Sequence, residues 1–407
     1  MKFKDYHISS EIKANLERLG FKKPTDIQFK SIRHILDGED VFAIAQTGTG
    51  KTAAFAIPLI YLVQTKLSKY GNKEPKVLVM VPTRELAVQI GKVFQDLAKS
   101  TGVKSLALIG GEGQDPQIAE LKSGVDILIA TPGRMFDLMA QGILSIKGVK
   151  HLVLDEADLM LDLGFAEDIK GVLSHLPRNK QTLFFSATIS KHIKKLAYNV
   201  VRNAIRIQIS PKNPVSKNVH HAVLFVEMDD KRFFLENIVK EYPEFKILVF
   251  ARTKVRVGRI VEAMKRVGVE AELLHGELDQ EERFNVIKRF SEGENKLLIT
   301  TDVACRGIDI PGVDFVINYD LPENPENYVH RCGRTGRGRS TGQALSFCSP
   351  GEVELLDTIE EYVGEEIERY DLSISEYKAI LDDTEEGGDD WQSLLNKANE
   401  EFGDDWE

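Results

Sequence analysis

The stretch "VFAIAQTGTGKT", residues 41–52, decides how this chain is read. Its first five residues are apolar and form a buried-strand pattern, and "TAAFAIPLIYLV" from Thr52 forms a helical one. Between them "AQTGTGKT", residues 45–52, has phosphate-loop spacing, with Ala45 where the strict pattern has its first glycine. Gln46, Thr47, Gly48, Thr49 and Gly50 would surround a phosphate at a helix N-terminus, where backbone N–H groups and the helix dipole favour anions. Lys51 would reach the β- and γ-phosphates, and the Thr52 hydroxyl would hold Mg²⁺. A Gly-rich turn is common anywhere. A strand, a Lys-Thr pair and a helix around it are not. The expected cofactors are ATP and Mg²⁺.

Working outward, the same pattern repeats. "KVLVMVPTREL", "SLALIGGEG", "DILIATPGR", "HLVLDEAD" and "TLFFSAT" are short apolar runs ending in small or polar residues, with helical stretches between. Alternating strands and helices imply a parallel sheet covered on both faces, with ligands at the carboxyl ends of its strands. The pattern pauses at "QISPKNPVSKNVHH", residues 208–221, which has two prolines and no clear period. It resumes with "HAVLFVE", "KILVFARTK", "AELLHGE", "KLLITTDVACRGID", "DFVINYD" and "ALSFCS". The fold class expected is α/β, with two domains of similar build. The first spans 1–208, a linker 209–221, the second 222–378, and an acidic tail expected to be disordered 379–407. Within that tail Trp391, Leu394, Leu395, Ala398 and Phe402 fall at helical spacing, so a short amphipathic helix there could meet a protein partner or the chain's own body.

Composition narrows the class. The chain has 407 residues, too many for one ordinary core. The net charge is −10, yet from Asp382 onward stand eleven acids and one lysine. Taken from the 63 acids and 53 bases, these leave 52 of each, so the body is neutral and local charge decides phosphate binding. Three cysteines, Cys305, Cys332 and Cys348, cannot build a disulfide framework, and their spacing is not that of a zinc site. The start "MKFKDYHISS" lacks a signal peptide's apolar core, and no run is long enough for a membrane helix. A soluble cytoplasmic protein, away from membranes and monomeric, is expected.

Two charged clusters complete the chemistry. "HLVLDEADLML", residues 151–161, ends an apolar strand in adjacent carboxylates. Like charges repel, and a buried unpaired charge is costly. A nucleotide-bound Mg²⁺ resolves the cost, because it needs an acid at the end of another strand of the same sheet. Asp155 fits that role, Glu156 would orient or deprotonate the attacking water, and Asp158 would pair with a neighbouring motif such as "SAT" at 186–188. In "YVHRCGRTGRGRS", residues 328–340, Arg331, Arg334 and Arg337 recur every three residues. One or two would act as arginine fingers, a device worth about 10³–10⁵ in rate. The site would then be complete only when both domains close on ATP.

These motifs, in this order, resemble the DEAD-box ATP-dependent RNA helicases of superfamily 2, over about residues 3–347. The resemblance rests on "GFKKPTDIQ", "AQTGTGKT", "PTRELAVQ", "GG", "TPGR", "DEAD", "SAT", "VFARTK", "HGELDQEER", "TTDVACRGID" and "HRCGRTGR". The compact core is similar to that of bacterial RhlE-type members. The resemblance implies two tandem RecA-like domains, each a mostly parallel sheet with helices on both faces. It implies that Gln28 reads the adenine edge, that Phe21 stacks on its ring beside an isolated upstream aromatic at Phe3, and that Asp309 touches the ribose. Arg334 and Arg337 match the finger arginines, and Ser186, Thr188 and His330 would couple hydrolysis to strand separation.

RNA contacts implied by the same resemblance are Pro82, Thr83, Arg84, Gly110, Gly111, Thr131, Gly133 and Arg134 in the first domain. In the second they are Arg252, His275, Gly276, Thr300, Thr301 and Arg306. Backbone N–H groups, hydroxyls and guanidiniums dominate this set. They suit phosphate and 2′-OH contacts, so binding to single strands and short duplexes should be independent of sequence and steeply salt-dependent. The function expected is RNA-stimulated ATP hydrolysis coupled to local, non-processive unwinding and ribonucleoprotein remodelling. An ATP-gated RNA clamp that scarcely unwinds would use the same residues. A catalytically dead interaction protein would not need Lys51, Glu156 and Arg334 intact. Cys305 and Cys332 depart from the family pattern and are expected to be buried, inert thiols. The acidic tail departs from the basic tails of many relatives, so it should not add RNA affinity.

Overall fold

The computed structural model describes residues 2–46, 48–67, 74–209, 215–216, 218–305, 308, 310–336 and 341–385. The chain divides into two units, Met1–Lys212 with Arg306–Asp309, and Asn213–Cys305 with Ile310–Glu407. Each unit holds one seven-stranded sheet.

In the first unit the strands are β1 (Val41–Ala45), β2 (Val77–Met80), β3 (Ser105–Leu108), β4 (Ile127–Ala130), β5 (His151–Leu154), β6 (Gln181–Ser186) and β7 (Ile205–Ile209). They lie in the order β3-β4-β2-β5-β6-β1-β7, all parallel. Every residue of β1, β2, β4 and β6 is buried, which requires helices on both faces. On one face Phe42, Leu78, Leu128, Leu152 and Phe184 share a core with Met135, Met160, Ile169 and Ile193 of the helices. The placement of β6 between β5 and β1 brings "AQTGTGKT", "SAT" and "DEAD" to neighbouring strand ends. The register sets Ile44 beside Ser186 and Leu154 beside Phe184. The other half of the same edge, behind β2, β4 and β3, carries "PTREL", "TPGR" and "GG".

The second unit repeats the plan with β8 (Val219–Phe225), β9 (Ile247–Phe250), β10 (Glu272–Leu274), β11 (Leu297–Thr300), β12 (Phe315–Asn318), β13 (Gly342–Cys348) and β14 (Glu368–Arg369). Their order is β10-β11-β9-β12-β13-β8-β14, again all parallel. Its core joins Ile247, Val249, Ile299 and Ile317 to Leu235, Val257 and Ile260.

Two expected boundaries are corrected. The linker expected over 209–221 is shorter at both ends, because Ile209 closes β7 against β1 and Val219–His221 pair with Gly342–Ala344 of β13. The tail expected from residue 379 begins inside a helix, Ile374–Glu385. Tyr377, Ile380 and Leu381 pack on the second core, and the Tyr377 ring meets Phe234 at a tilt with centroids 4.9 Å apart, so apolar burial outweighs the local acidity there. The amphipathic stretch 391–402 lies outside the described residues.

Candidate ATP and RNA site

The phosphate loop is shaped by its glycines. Gly48 and Gly50 have φ of +77° and +92°, the left-handed region that favours glycine. A Cβ on Gly50 would stand 2.4 Å from Gln28 Nε2. Thr49 Oγ1 donates to the Gln46 carbonyl at 2.7 Å and tightens the turn. Helix Lys51–Leu62 then begins with Lys51 at its first position. Gln28 is held by the capping box of "TDIQ": Thr25 N donates to its Oε1 at 3.0 Å, and its Nε2 donates to the Gly50 carbonyl at 3.1 Å. Gln28 is therefore buried against the loop. Phe21 is partly exposed and meets the buried Phe3 edge-on at 6.1 Å.

Lys51 Nζ is the telling atom. The side chain is buried, and its ammonium has no hydrogen-bond partner. Asp155, at the end of β5, is buried too, and burial pushes its carboxyl above the usual carboxylate range while the Lys51 charge offsets part of the rise. Asp155 Oδ1 accepts from Glu156 N at 3.0 Å. Glu156 sits at φ +50°, ψ +50°, a left-handed turn from strand to helix Ala157–Asp162 that is strained for a non-glycine residue. A buried cation without a hydrogen bond, a costly carboxyl and a strained acid, at the ends of strands flanking β6, fit a triphosphate and a divalent cation. Thr52, partly exposed one residue beyond Lys51, has a hydroxyl of the hard-oxygen kind that Mg²⁺ prefers.

Asp158 pairs with "SAT" as its sequence suggests. Its Oδ2 accepts from both Ala187 N and Thr188 N at 3.0 Å, while Ser186 Oγ donates to the Thr188 carbonyl at 2.9 Å. The two motifs are thus one hydrogen-bonded body.

On the other half of that edge, Thr83 caps helix Arg84–Leu97 by accepting from Leu86 N, and Arg84 reaches Gly110, where a Cβ would lie 3.5 Å from its Nη2. Arg134 donates to Gln117 Oε1 at 3.0 Å and to the Glu112 carbonyl at 2.8 Å, which ties "TPGR" to "GG". Gly111 and Gly133 are exposed. Pro82 and Thr131, also expected to contact RNA, are buried.

In the second unit Arg252, His275 and Gly276 stand at the ends of β9 and β10 and reach the surface at least in part. Thr300 is a correction: it is fully buried, and its hydroxyl donates to the Leu274 carbonyl at 2.9 Å. Thr301, the next residue, is partly exposed. Arg331 is also not available as a finger. It is buried, donates twice to Asp302 at 2.7 Å, and reaches the Asp320 carbonyl and Asn318 Oδ1. Arg334 is buried past the end of helix Pro325–Cys332, on which His330 is partly exposed. Thr47, Arg306, Asp309 and Arg337 lie outside the described residues. The three thiols are buried, and burial pushes Cys332 up to about 12 and Cys348 up to about 11. Sequence reasoning missed Lys231 and Glu352, a buried pair at 2.5 Å. The box "SPGE", Ser349 to Glu352, was a legible signal for the second.

Comparison with known proteins agrees with this geometry. Residues 25–196 match the DEAD/DEAH box helicase model, and residues 230–339 match the helicase conserved C-terminal domain. The chain is 38% identical to ATP-dependent RNA helicase DbpA of Bacillus subtilis, over 97% of this chain and 83% of that protein. It is 40% identical to DEAD-box ATP-dependent RNA helicase CshA of Geobacillus kaustophilus, over 90% and 78%. Among solved structures it is similar to S. cerevisiae Dbp5 bound to RNA and ADP BeF3, with TM-score 0.81, 30% identity and 94% and 99% of the two chains covered. Mss116p bound to ssRNA and AMP-PNP gives the same TM-score at 28% identity, over 97% and 84%. The phosphate loop, the acid pair and the "SAT" contact thus stand in a chain that belongs to the DEAD-box ATP-dependent RNA helicases.

Proposed function

We propose that this chain hydrolyses ATP with Mg²⁺ in response to RNA, and uses the cycle to separate short duplexes locally and to remodel ribonucleoprotein, without sequence preference or processive travel. The observation that carries the reading is the buried, unpartnered ammonium of Lys51 beside the costly carboxyl of Asp155. A triphosphate supplies the anion that Lys51 lacks. Thr52 and Asp155 would hold Mg²⁺, which when bound neutralises charge developing on the phosphates. Gly48 and Gly50 open the loop to phosphate oxygens. Glu156, at its strained turn, orients the attacking water and takes its proton. Arg334 and Arg337, at the positions of the family's finger arginines, are the residues that would supply positive charge to a γ-phosphate.

RNA phosphates and 2′-hydroxyls meet Thr83, Arg84, Gly110, Gly111, Gly133 and Arg134 of the first unit. They meet Arg252, His275, Gly276, Thr301 and Arg306 of the second. Coupling runs through Asp158, because a change at "DEAD" must move the Ser186–Thr188 loop that it holds. His330 completes the coupling set.

Strand-separation assays test the proposal. With ATP, a short RNA duplex should separate readily and one several times longer only slowly. Formation of a stable RNA complex with ATP, with no separation of the short duplex, would replace unwinding by an ATP-gated clamp.

A further inference from the structure

We infer that Glu352 is a positioning residue that aims Arg252 at RNA, a role that rests on the proposed reading of Arg252 as a phosphate contact. Its two carboxylate oxygens face different ways. Oε2 accepts from Lys231 Nζ at 2.5 Å and from Ser349 N and Oγ at 3.2 and 2.9 Å. Oε1 accepts from Arg252 Nη2 at 3.0 Å and from Leu321 N at 3.2 Å. Lys231 is fully buried and also donates to the Tyr319 carbonyl at 2.8 Å, so the carboxylate is anchored from behind. Asp320 accepts from Arg252 N at 2.9 Å and so fixes the backbone at the same residue. The Arg252 side chain stays 39% exposed. Nη2 is therefore held, by Glu352 and also by the Leu321 carbonyl at 3.4 Å, Nε lies 4.0 Å from the exposed Glu323 carboxylate, and the side chain stays partly open to solvent at the carboxyl end of β9.

An arginine on a flexible stem loses rotamer freedom when it grips a phosphate, and a fork held in advance loses less. This predicts a sign opposite to that of simple charge. Removing a carboxylate near a phosphate contact should tighten RNA binding by Coulomb's law. Removing Glu352 should weaken it, because Arg252 is no longer aimed.

The test measures binding of a labelled single-stranded RNA to the full chain with a non-hydrolysable ATP analogue, by anisotropy at several salt concentrations. Thermal melting checks that each variant is folded. Arg252→Ala should weaken binding about tenfold and lower the salt slope by about one ion. Glu352→Gln should weaken it by a smaller factor, about three- to fivefold, and the double variant should be no weaker than Arg252→Ala. Ser349→Ala, which keeps every charge and removes one bond to Oε2, should weaken binding about twofold, and only when Arg252 is present. It serves also if Glu352→Gln does not fold.

Unchanged or tighter binding in Glu352→Gln overturns the inference. So does unchanged binding in Ser349→Ala where Glu352→Gln is unfolded, or a loss that persists in the Arg252→Ala background. Arg252→Ala binding RNA as well as the native chain would instead sink the assignment of Arg252 itself, and the positioning role with it.

Discussion

Each unit buries a lysine near a strand end, and the two are treated in opposite ways. Lys231 of the second unit is saturated: Glu352 and the Tyr319 carbonyl accept its hydrogen bonds. Lys51 of the first unit has no hydrogen-bond partner for its ammonium, and meets only the charge of Asp155 nearby. Folding alone explains the first, because a buried charge is tolerable when it is paired and hydrogen-bonded. Folding alone does not explain the second. A buried ammonium that the chain leaves without a hydrogen bond is stability given up for a ligand, and the saturated one is scaffold. In "HRCGRTGR" Arg331 is scaffold of the same kind as Lys231, held by Asp302, Asn318 and the Asp320 carbonyl.

The largest expected effect separates the two lysines by activity. Lys51→Met should remove ATP hydrolysis almost completely, while leaving the melting temperature of the ligand-free chain unchanged or higher. Steady-state hydrolysis and thermal melting check both halves, and a clear loss of stability would break the comparison. Lys231→Met should do the reverse. It strands a buried carboxylate, which costs about 3–5 kcal/mol in such pairs, and a denaturant titration of the second unit's transition reads that loss directly.

Gly50→Ala comes next. The new Cβ needs a left-handed φ and collides with the Gln28 amide. A stability loss of about 1–3 kcal/mol with weakened nucleotide binding is expected, measured by melting and by titration with a fluorescent ATP analogue. Retained nucleotide affinity would mean that Gln28 is free to swing away.

The pH dependence sharpens the contrast between the two buried acids. Asp155 has a raised pKa, so its ionised form is the costly one. Its contribution to stability falls as pH rises from the ordinary carboxylate range through the raised value. Burial also pushes Glu352 upward, but the Lys231 charge and the bonds from Lys231 and Ser349 outweigh it and hold the group below that range. Its contribution is fully present above the ordinary range and is lost as pH falls through the lowered value. Asp155→Asn should therefore raise the melting temperature at neutral pH, by about 2–4 °C for each kcal/mol, and the gain should vanish in acid. Glu352→Gln should lower it at neutral pH and converge with the native chain in acid. Parallel curves for the two variants would refute the assignment.

The smallest effect concerns the thiols. With Cys332 and Cys348 pushed up to about 12 and 11, alkylation of the native chain near neutral pH should be slow, and mass spectrometry after brief exposure should find both unmodified.

Much of the site was legible because its signals are local. A strand, a glycine pair, a lysine and a helix fall within twelve consecutive residues, and "DEAD" announces itself by ending an apolar run in acids. The pairing of Asp158 with "SAT" could be anticipated because only a few motifs lie at strand ends. What stayed hidden depends on distant partners. Nothing in "TTD" says that Thr300 spends its hydroxyl on Leu274, twenty-six residues away. Nothing near Lys231 in "MDDKRFF" announces Glu352. The strand order, with β6 between β5 and β1, is likewise a tertiary fact. The extent of the last described helix depended on the core that receives Tyr377 and Ile380, and not on its own acidic composition.

The most direct test of the central claim is ATP hydrolysis by the intact chain, with and without single-stranded RNA, using single-stranded DNA and Glu156→Gln as controls. Strong stimulation by RNA, little by DNA, and loss of about 10²-fold or more in the variant are the predicted results. Hydrolysis that is indifferent to RNA, or that survives in Glu156→Gln, would contradict the account.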